Sequence, residues 1–342
     1  MVELGVCTET ILTGAGATFP HPLYRTWIES YGGLTGLRIT YEPSGSGMGV
    51  ARLRAREVDF GATDAFLDSA DFAAMPDSVL HLPTCVGAVV VTYNLPGNPH
   101  LRFTPELIGD IFLGRVNRWS HGRVGRLNKD VDLPEQDITV VHRSGSSGTT
   151  FIFTSYLTKV SARWRKEVGA GKVVRWPVGI GVEGNPGVTD FVRTIPGSIG
   201  YVELTYAARN RLPTGSIRNV AGDFIAPTLM SVSAAARTDL PADTRKLLVD
   251  TSDPRAYPIS AFTYLLFYKE QSYAGRPRRR AEHLAELMWW MIHAGQKDAG
   301  RLLYAPLPRQ AVRRGEAVLR SITYEGTPVL DETRGFREAG IP

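Results

Sequence analysis

Ile138 to Val160 reads ITVVHRSGSSGTTFIFTSYLTKV. Its opening β-branched run predicts a strand, Arg143-Ser144-Gly145-Ser146-Ser147-Gly148 a small-residue turn, and Phe153, Tyr156, Leu157 and Val160 at i, i+3, i+4 and i+7 a helix. Strand, tight turn and helix in this order are the repeating unit of an α/β fold. The unit also has chemistry. Unpaired N–H groups at a helix start bear roughly half a positive charge, and small residues let an anion come close to them. Ser147 and Thr149 add hydroxyl donors, and Arg143 adds a planar fork of N–H groups suited to a tetrahedral oxyanion. The stretch is half of an anion site.

A small oxyanion must exchange its whole hydration shell for protein hydrogen bonds, so the other half has to come from elsewhere in the chain. Thr13 to Pro22, TGAGATFPHP, places two glycines before a helix start. Pro20 and Pro22 suit a first helical turn, and Leu23, Tyr24, Trp27, Ile28 and Tyr31 follow at helical spacing. Ser44 to Gly49, SGSGMG, lies between a strand over Leu37–Tyr41 and a second helix. Val58 to Asp64, VDFGATD, predicts a short buried strand with Asp64 at its carboxyl end, where doubly wound sheets place ligand contacts. A carboxylate accepts hydrogen bonds and offers none, so beside an anion it is useful only against a ligand that still has a proton to give.

Further along, Leu82–Asn94 and Ala261–Tyr268 are apolar β-type runs, and Thr104-Pro105-Glu106 starts a helix ending near Gly114. Trp176–Gly187 reads as a mobile loop before a helix through Val188, Phe191 and Val192, and a long helix is expected from about Arg280 to Gly295.

The chain has 342 residues, 43% apolar and 21% charged. That length suggests about two domains at ~150 residues each, with a sizeable core. Net charge is +5, with basic runs at Arg276–Arg280 and Arg313-Arg314. These runs read as solvated surface, because no interleaved aromatics or nucleic-acid motif accompany them; no nucleic-acid partner is expected. Cys7 and Cys85 form no CxxC or Cys/His cluster, and the seven histidines show no metal-ligand spacing, so neither metal nor cofactor is expected. Cys85, within LPTCVGAVVV, is predicted to be core. No run reaches the ~18 apolar residues of a membrane span. The start, MVELGVCTET, lacks the basic and apolar regions of a signal peptide, which leaves either a cytoplasmic protein or a mature fragment given a starting Met.

The ordered set TGAGATFPHPLY, SGSG, VDFGATD, TPELIGDIFLG, RSGSSGTTF, the P-x-G-x-G of Pro177–Gly181 and PGSIGYVE resembles the phosphate-binding proteins of bacterial ABC phosphate importers, the PstS type. The resemblance runs from about Leu12 to Pro308. It implies the type II periplasmic-binding fold: two α/β domains joined by crossing hinge strands, with the ligand in the cleft between them. On that basis domain I is 8–88 with 258–342, domain II is 89–257, and the hinge lies near Val86–Tyr93 and Ala261–Tyr268. By motif, the implied phosphate ligands are Thr18, Phe19 through its backbone, Ser46 and Asp64 from domain I. Arg143, Ser147, Gly148 through its backbone and Thr149 come from domain II. The implied partner is a membrane permease, the implied location periplasmic or cell-surface, and a monomer suffices. One position departs from the pattern: the family's commoner loop has Asp two residues after the arginine, where this chain has Gly145.

Specificity then follows from counting protons. Near neutral pH phosphate keeps one or two and sulfate none, so Asp64 accepts from the first and faces an unpaired oxygen on the second. An unsatisfied buried pair costs on the order of 1–3 kcal/mol. The same feature argues against sulfate, molybdate or tungstate as ligand, and arsenate should be discriminated weakly. An enzyme of phosphate esters or nucleotides is the rival class. GSSGTT lacks the Gly-Lys-[Ser/Thr] of a P-loop, Phe19 stands where a dinucleotide fingerprint needs Gly or Ala, and no G-x-S-x-G elbow occurs. The same site chemistry would serve import, signalling or adhesion, or a phage-encoded protein.

Overall fold

The computed structural model describes residues 11–330. Cys7 and the outermost residues of the expected domain I lie outside them.

One sheet of nine strands runs through the molecule. In chain order the strands are β1 (Ile11–Gly16), β2 (Arg38–Glu42), β3 (Phe60–Thr63), β4 (Val79–Tyr93), β5 (Thr139–Arg143), β6 (Ile180–Val182), β7 (Ser198–Glu203), β8 (Leu247–Val249) and β9 (Ile259–Tyr268). Spatially the order is β2-β1-β3-β9-β4-β7-β5-β6, with β8 beside β9. β1, β2 and β3 are parallel, as are β5, β6 and β7, while β9 and β4 run antiparallel between the two groups. β4 changes partner along its length: Val79–Ala88 pairs with β9, and Val89–Tyr93 pairs with β7. All ten residues of β9 are buried, as expected of a strand covered on both faces.

Helices cover the sheet: α1 (His21–Thr35), α2 (Ser46–Arg54), α3 (Gly148–Val160), α4 (Gly184–Thr194), α5 (Arg278–Ile292) and α6 (Arg309–Arg320) are those that matter here. α1 opens with proline in its first turn and ends at Gly36 in the left-handed conformation (φ 73°). Of the stripe expected from spacing it buries Leu23, Tyr24, Trp27 and Tyr31, while Ile28 is half-buried. α5 begins at Arg278 and buries Leu284, Leu287, Met288, Met291 and Ile292. Cys85 is a fully buried thiol within β4.

The expected loop over Trp176–Gly187 is a correction. Ile180–Val182 is strand β6, paired in parallel with Val141–Arg143, and Gly184 already starts α4. This strand is short, glycine-containing and exposed at its first two residues, so only its partner in space defines it. Trp176 is anchored by stacking on His142, with ring centroids 4.7 Å apart, and on Tyr201, at 5.7 Å.

Candidate functional site

Because the strands within each group are parallel, their carboxyl ends collect on one side, and the turns leaving them face one another. Thr18 follows β1, Ser46 starts α2 after β2, Asp64 follows β3 directly, Arg143 ends β5 and Ser147 caps α3. All eight expected site residues are buried, with Thr18 and Arg143 the most exposed of the side chains. These two line a cavity of about 600 Å³, together with Gly45, Gly47, Met48, Gly145, Ser146 and Glu183 among others. The remaining six do not line it.

The two groups of turns meet. The Gly47 N–H donates to the Ser146 carbonyl at 3.3 Å, and Lys172 Nζ lies 2.6 Å from Asp71 Oδ2. Gly148 is a second close approach. A Cβ added there would stand 2.5 Å from Asp64 Oδ2 and 2.5 Å from Ser46 Oγ, so only glycine fits while the turns touch. Gly145, at φ 71°, sits in the left-handed region with open space around it, which explains a glycine in this turn through backbone conformation.

Asp64 Oδ1 accepts from the Thr263 hydroxyl at 2.8 Å, and Oδ2 from the Ser46 hydroxyl at 3.4 Å. Burial pushes this carboxyl up to about 7, opposed by the Thr263 bond, the Arg143 charge and the Ser46 bond. Arg143 is held by β5, its own N–H donating to the Tyr201 hydroxyl at 3.2 Å. Its guanidinium makes one long contact, Nη1 to Thr149 Oγ1 at 3.5 Å, and its buried Nε has no partner among the described residues. Burial lowers the arginine's pKa from its ordinary value. A desolvated cation with so few partners is costly unless an anion joins it.

The start of α3 is built as its sequence suggests. Ser147 Oγ accepts from the Thr150 N–H at 3.1 Å, which satisfies one of the orphan donors of the first turn. The Ser147 N–H is taken by the Lys172 carbonyl at 2.9 Å. Its hydroxyl proton, and the N–H groups of Gly148 and Thr149, have no acceptor within the helix. Phe19 contributes a backbone fixed from the far side, its carbonyl accepting from the Tyr304 hydroxyl at 2.7 Å, while the Thr18 carbonyl accepts from Tyr206 at 2.7 Å.

Several partners escaped sequence reasoning. Asn185, in the first turn of α4, touches both Thr18 and Thr149. Thr263 is one residue in a continuously buried strand. Glu203 is fully buried at the end of β7, accepting from the Thr205 N–H at 2.8 Å beside the Tyr304 hydroxyl at 3.1 Å, and burial pushes its carboxyl well up. The available signal was positional for Glu203, which stands at the carboxyl end of β7 as Arg143 does on β5, whereas Asn185 follows a strand that only its partner in space defines. Among the described residues no cluster of three or more His, Cys, Asp or Glu could hold a metal, and no helix is long and apolar enough to cross a membrane.

A profile of the PBP superfamily domain matches residues 6–294. Over 313 residues the chain is 38% identical to the phosphate-binding protein PstS of Xylella fastidiosa strain 9a5c, covering 90% of this chain and 84% of that protein. It is 36% identical to PstS of Methanocaldococcus jannaschii, over 84% of this chain and 79% of the relative. Among solved structures it is similar in fold to PfluDING, a periplasmic phosphate-binding protein bound with phosphate at pH 8.5. That match has a TM-score of 0.71 at 21% identity and covers 90% of this chain and 93% of that one. The phosphate-binding protein of Stenotrophomonas maltophilia matches with a TM-score of 0.71 at 18% identity, over 94% and 96% of the two chains. With relatives this similar along nearly its whole length, the chain belongs to the PBP superfamily and, within it, to the PstS family of phosphate-binding proteins.

Proposed function

We propose that this chain binds inorganic phosphate between the two groups of turns, as the extracytoplasmic substrate-binding component of an ABC phosphate importer. The observation that carries the reading is the pairing of a buried, weakly partnered guanidinium, Arg143, with a buried carboxyl, Asp64, at one cleft. The first requires an anion and the second an anion that still holds a proton. Thr18, Ser46, Ser147 and Thr149 would give hydroxyl hydrogen bonds, and Phe19, Gly148 and Thr149 backbone ones. The role is that of a binder and not of an enzyme. Titration calorimetry of the dialysed protein tests it: tight one-to-one binding of phosphate and little of sulfate at pH 8 is the expected result. No phosphate binding by folded, ligand-free protein would sink it.

The relatives' role implies a membrane permease as partner and a location outside the cytoplasm. One cleft is complete within one chain, so a monomer suffices. For the domains, we infer a division into 8–88 with 258–342 and 89–257, hinged where β4 and β9 cross between the halves. Supporting this is the change of partner in β4 at Ala88/Val89. Ligand contacts from both sides should close the halves, so small-angle scattering is expected to record compaction on adding phosphate. An unchanged radius of gyration would refute closure.

Gly148→Ala gives a further expected outcome. The added methyl meets Asp64 and Ser46 when the turns touch. Overpacking of this kind costs about 1–3 kcal/mol, so phosphate affinity should fall by roughly 5- to 150-fold in calorimetry.

A further inference from the structure

Asn185 is fully buried at the start of α4, between the two groups of turns. The backbone N–H of Glu203 donates to its Oδ1 at 2.9 Å, which fixes the amide's orientation and turns the NH₂ inward. Nδ2 then donates to Thr18 Oγ1 at 2.9 Å and to Thr149 Oγ1 at 3.2 Å, one hydrogen to each side of the cleft. The backbone N–H of Asn185 also donates to Thr18 Oγ1, at 3.3 Å, and Arg143 Nη1 to Thr149 Oγ1, at 3.5 Å.

A threonine hydroxyl has two lone pairs and one proton. At Thr18 both lone pairs face donors, the side chain and backbone of Asn185. At Thr149 they face Asn185 and Arg143. Each hydroxyl therefore has only its proton left to give. We propose that Asn185 is a positioning residue that locks Thr18 and Thr149 as donors toward the bound anion. This inference rests on the phosphate reading. The ligand oxygens that meet these hydroxyls must then accept, and a proton on the ligand is directed away from them, toward Asp64. Thr18 follows β1 while Asn185 and Thr149 both belong to 89–257, so the amide orients Thr149 within its own half and sets Thr18 as a donor only when the halves are together.

Asn185→Asp reverses the polarity. An ionised carboxylate has no hydrogen to give and accepts from both threonines, withdrawing two donors from the anion. Phosphate affinity at pH 8 is expected to fall by at least about 100-fold, the loss expected from removing two charge-assisted hydrogen bonds. The ratio of variant to wild-type dissociation constants should shrink as pH is lowered from 9 to 5, because a protonated Asp regains one donor. Taking the ratio cancels the titration of phosphate itself. Wild-type protein that binds phosphate, with a variant within threefold of it across that range, would overturn the assignment. Should Asn185→Asp show no cooperative thermal transition, Asn185→Ala is compared in the wild-type and Thr18→Val backgrounds. The alanine substitution should cost less affinity where Thr18 has no hydroxyl to orient; an equal cost in both backgrounds would overturn the proposal. Failure of the wild type to bind phosphate would instead bring down the functional reading underneath it.

Discussion

Replacing Arg143 by alanine is expected to weaken phosphate binding by roughly 30- to 5,000-fold, the 2–5 kcal/mol that removing one partner of a buried charge pair costs. The same substitution should leave the ligand-free protein at least as stable as the wild type. Arg143 is 5% exposed, has one 3.5 Å side-chain contact and leaves Nε unpaired, so the empty protein bears a desolvation penalty with little return. Affinity and stability thus move in opposite directions, which a merely structural arginine would not produce. Arg143→Lys keeps the charge but loses the planar fork and should fall between. Calorimetry with a thermal melt in phosphate-free buffer reads both, and an alanine variant within threefold of wild-type affinity would remove Arg143 from the site.

The second large effect is expected at Asp64. Asparagine can donate from its NH₂ where the carboxylate cannot, so Asp64→Asn should lower the ratio of phosphate to sulfate affinity by roughly 5- to 150-fold, or 1–3 kcal/mol. The wild type should show a pH dependence that the variant lacks. With its pKa pushed up to about 7, Asp64 gains a proton as pH falls from 8 to 5 and can then donate to a sulfate oxygen. Sulfate binding by the wild type should strengthen over that interval and stay flat in the variant. Stability carries the same sign. Asp64 holds its proton in the folded state up to about 7, whereas an unfolded aspartate loses it near 4, so its contribution to stability falls as pH rises between them. Ligand-free Asp64→Asn should therefore gain in melting temperature over the wild type across that window. Unchanged sulfate affinity in the variant, at pH 8, would take specificity away from this residue.

Elements that could be read from the sequence are those whose signals are local. Thr139–Arg143 and Gly148–Val160 announce themselves through β-branching, helical period and a serine cap. Asp64 is conspicuous as a charge closing an apolar strand. What stayed hidden is defined by neighbours in space. β6 has three residues and no stripe of its own, so Asn185 looked like part of a loop until Val141–Arg143 supplied its partner. Thr263 sits in a strand buried on both faces, where period two vanishes and a polar residue has no pattern to break. Tyr201, Tyr206 and Tyr304 carry no local signal of a role, yet their hydroxyls fix the Arg143, Thr18 and Phe19 backbones.

The position of β9 in the sheet has a consequence for synthesis. β3 and β4 follow one another in the chain, yet β9 lies between them, and the Thr263 hydroxyl that holds Asp64 is 199 residues downstream of it. At roughly 5–20 residues per second of translation, β3 waits about 10–40 s with one edge bare. The parallel group β5, β6 and β7 is complete long before, so half the anion-binding machinery folds while the other half is still a nascent chain with an open strand edge. That interval is when the protein is most exposed to wrong strand pairing. A chain stopped before Ile259 would have every glycine turn of the site and no strand to hold Asp64 in it.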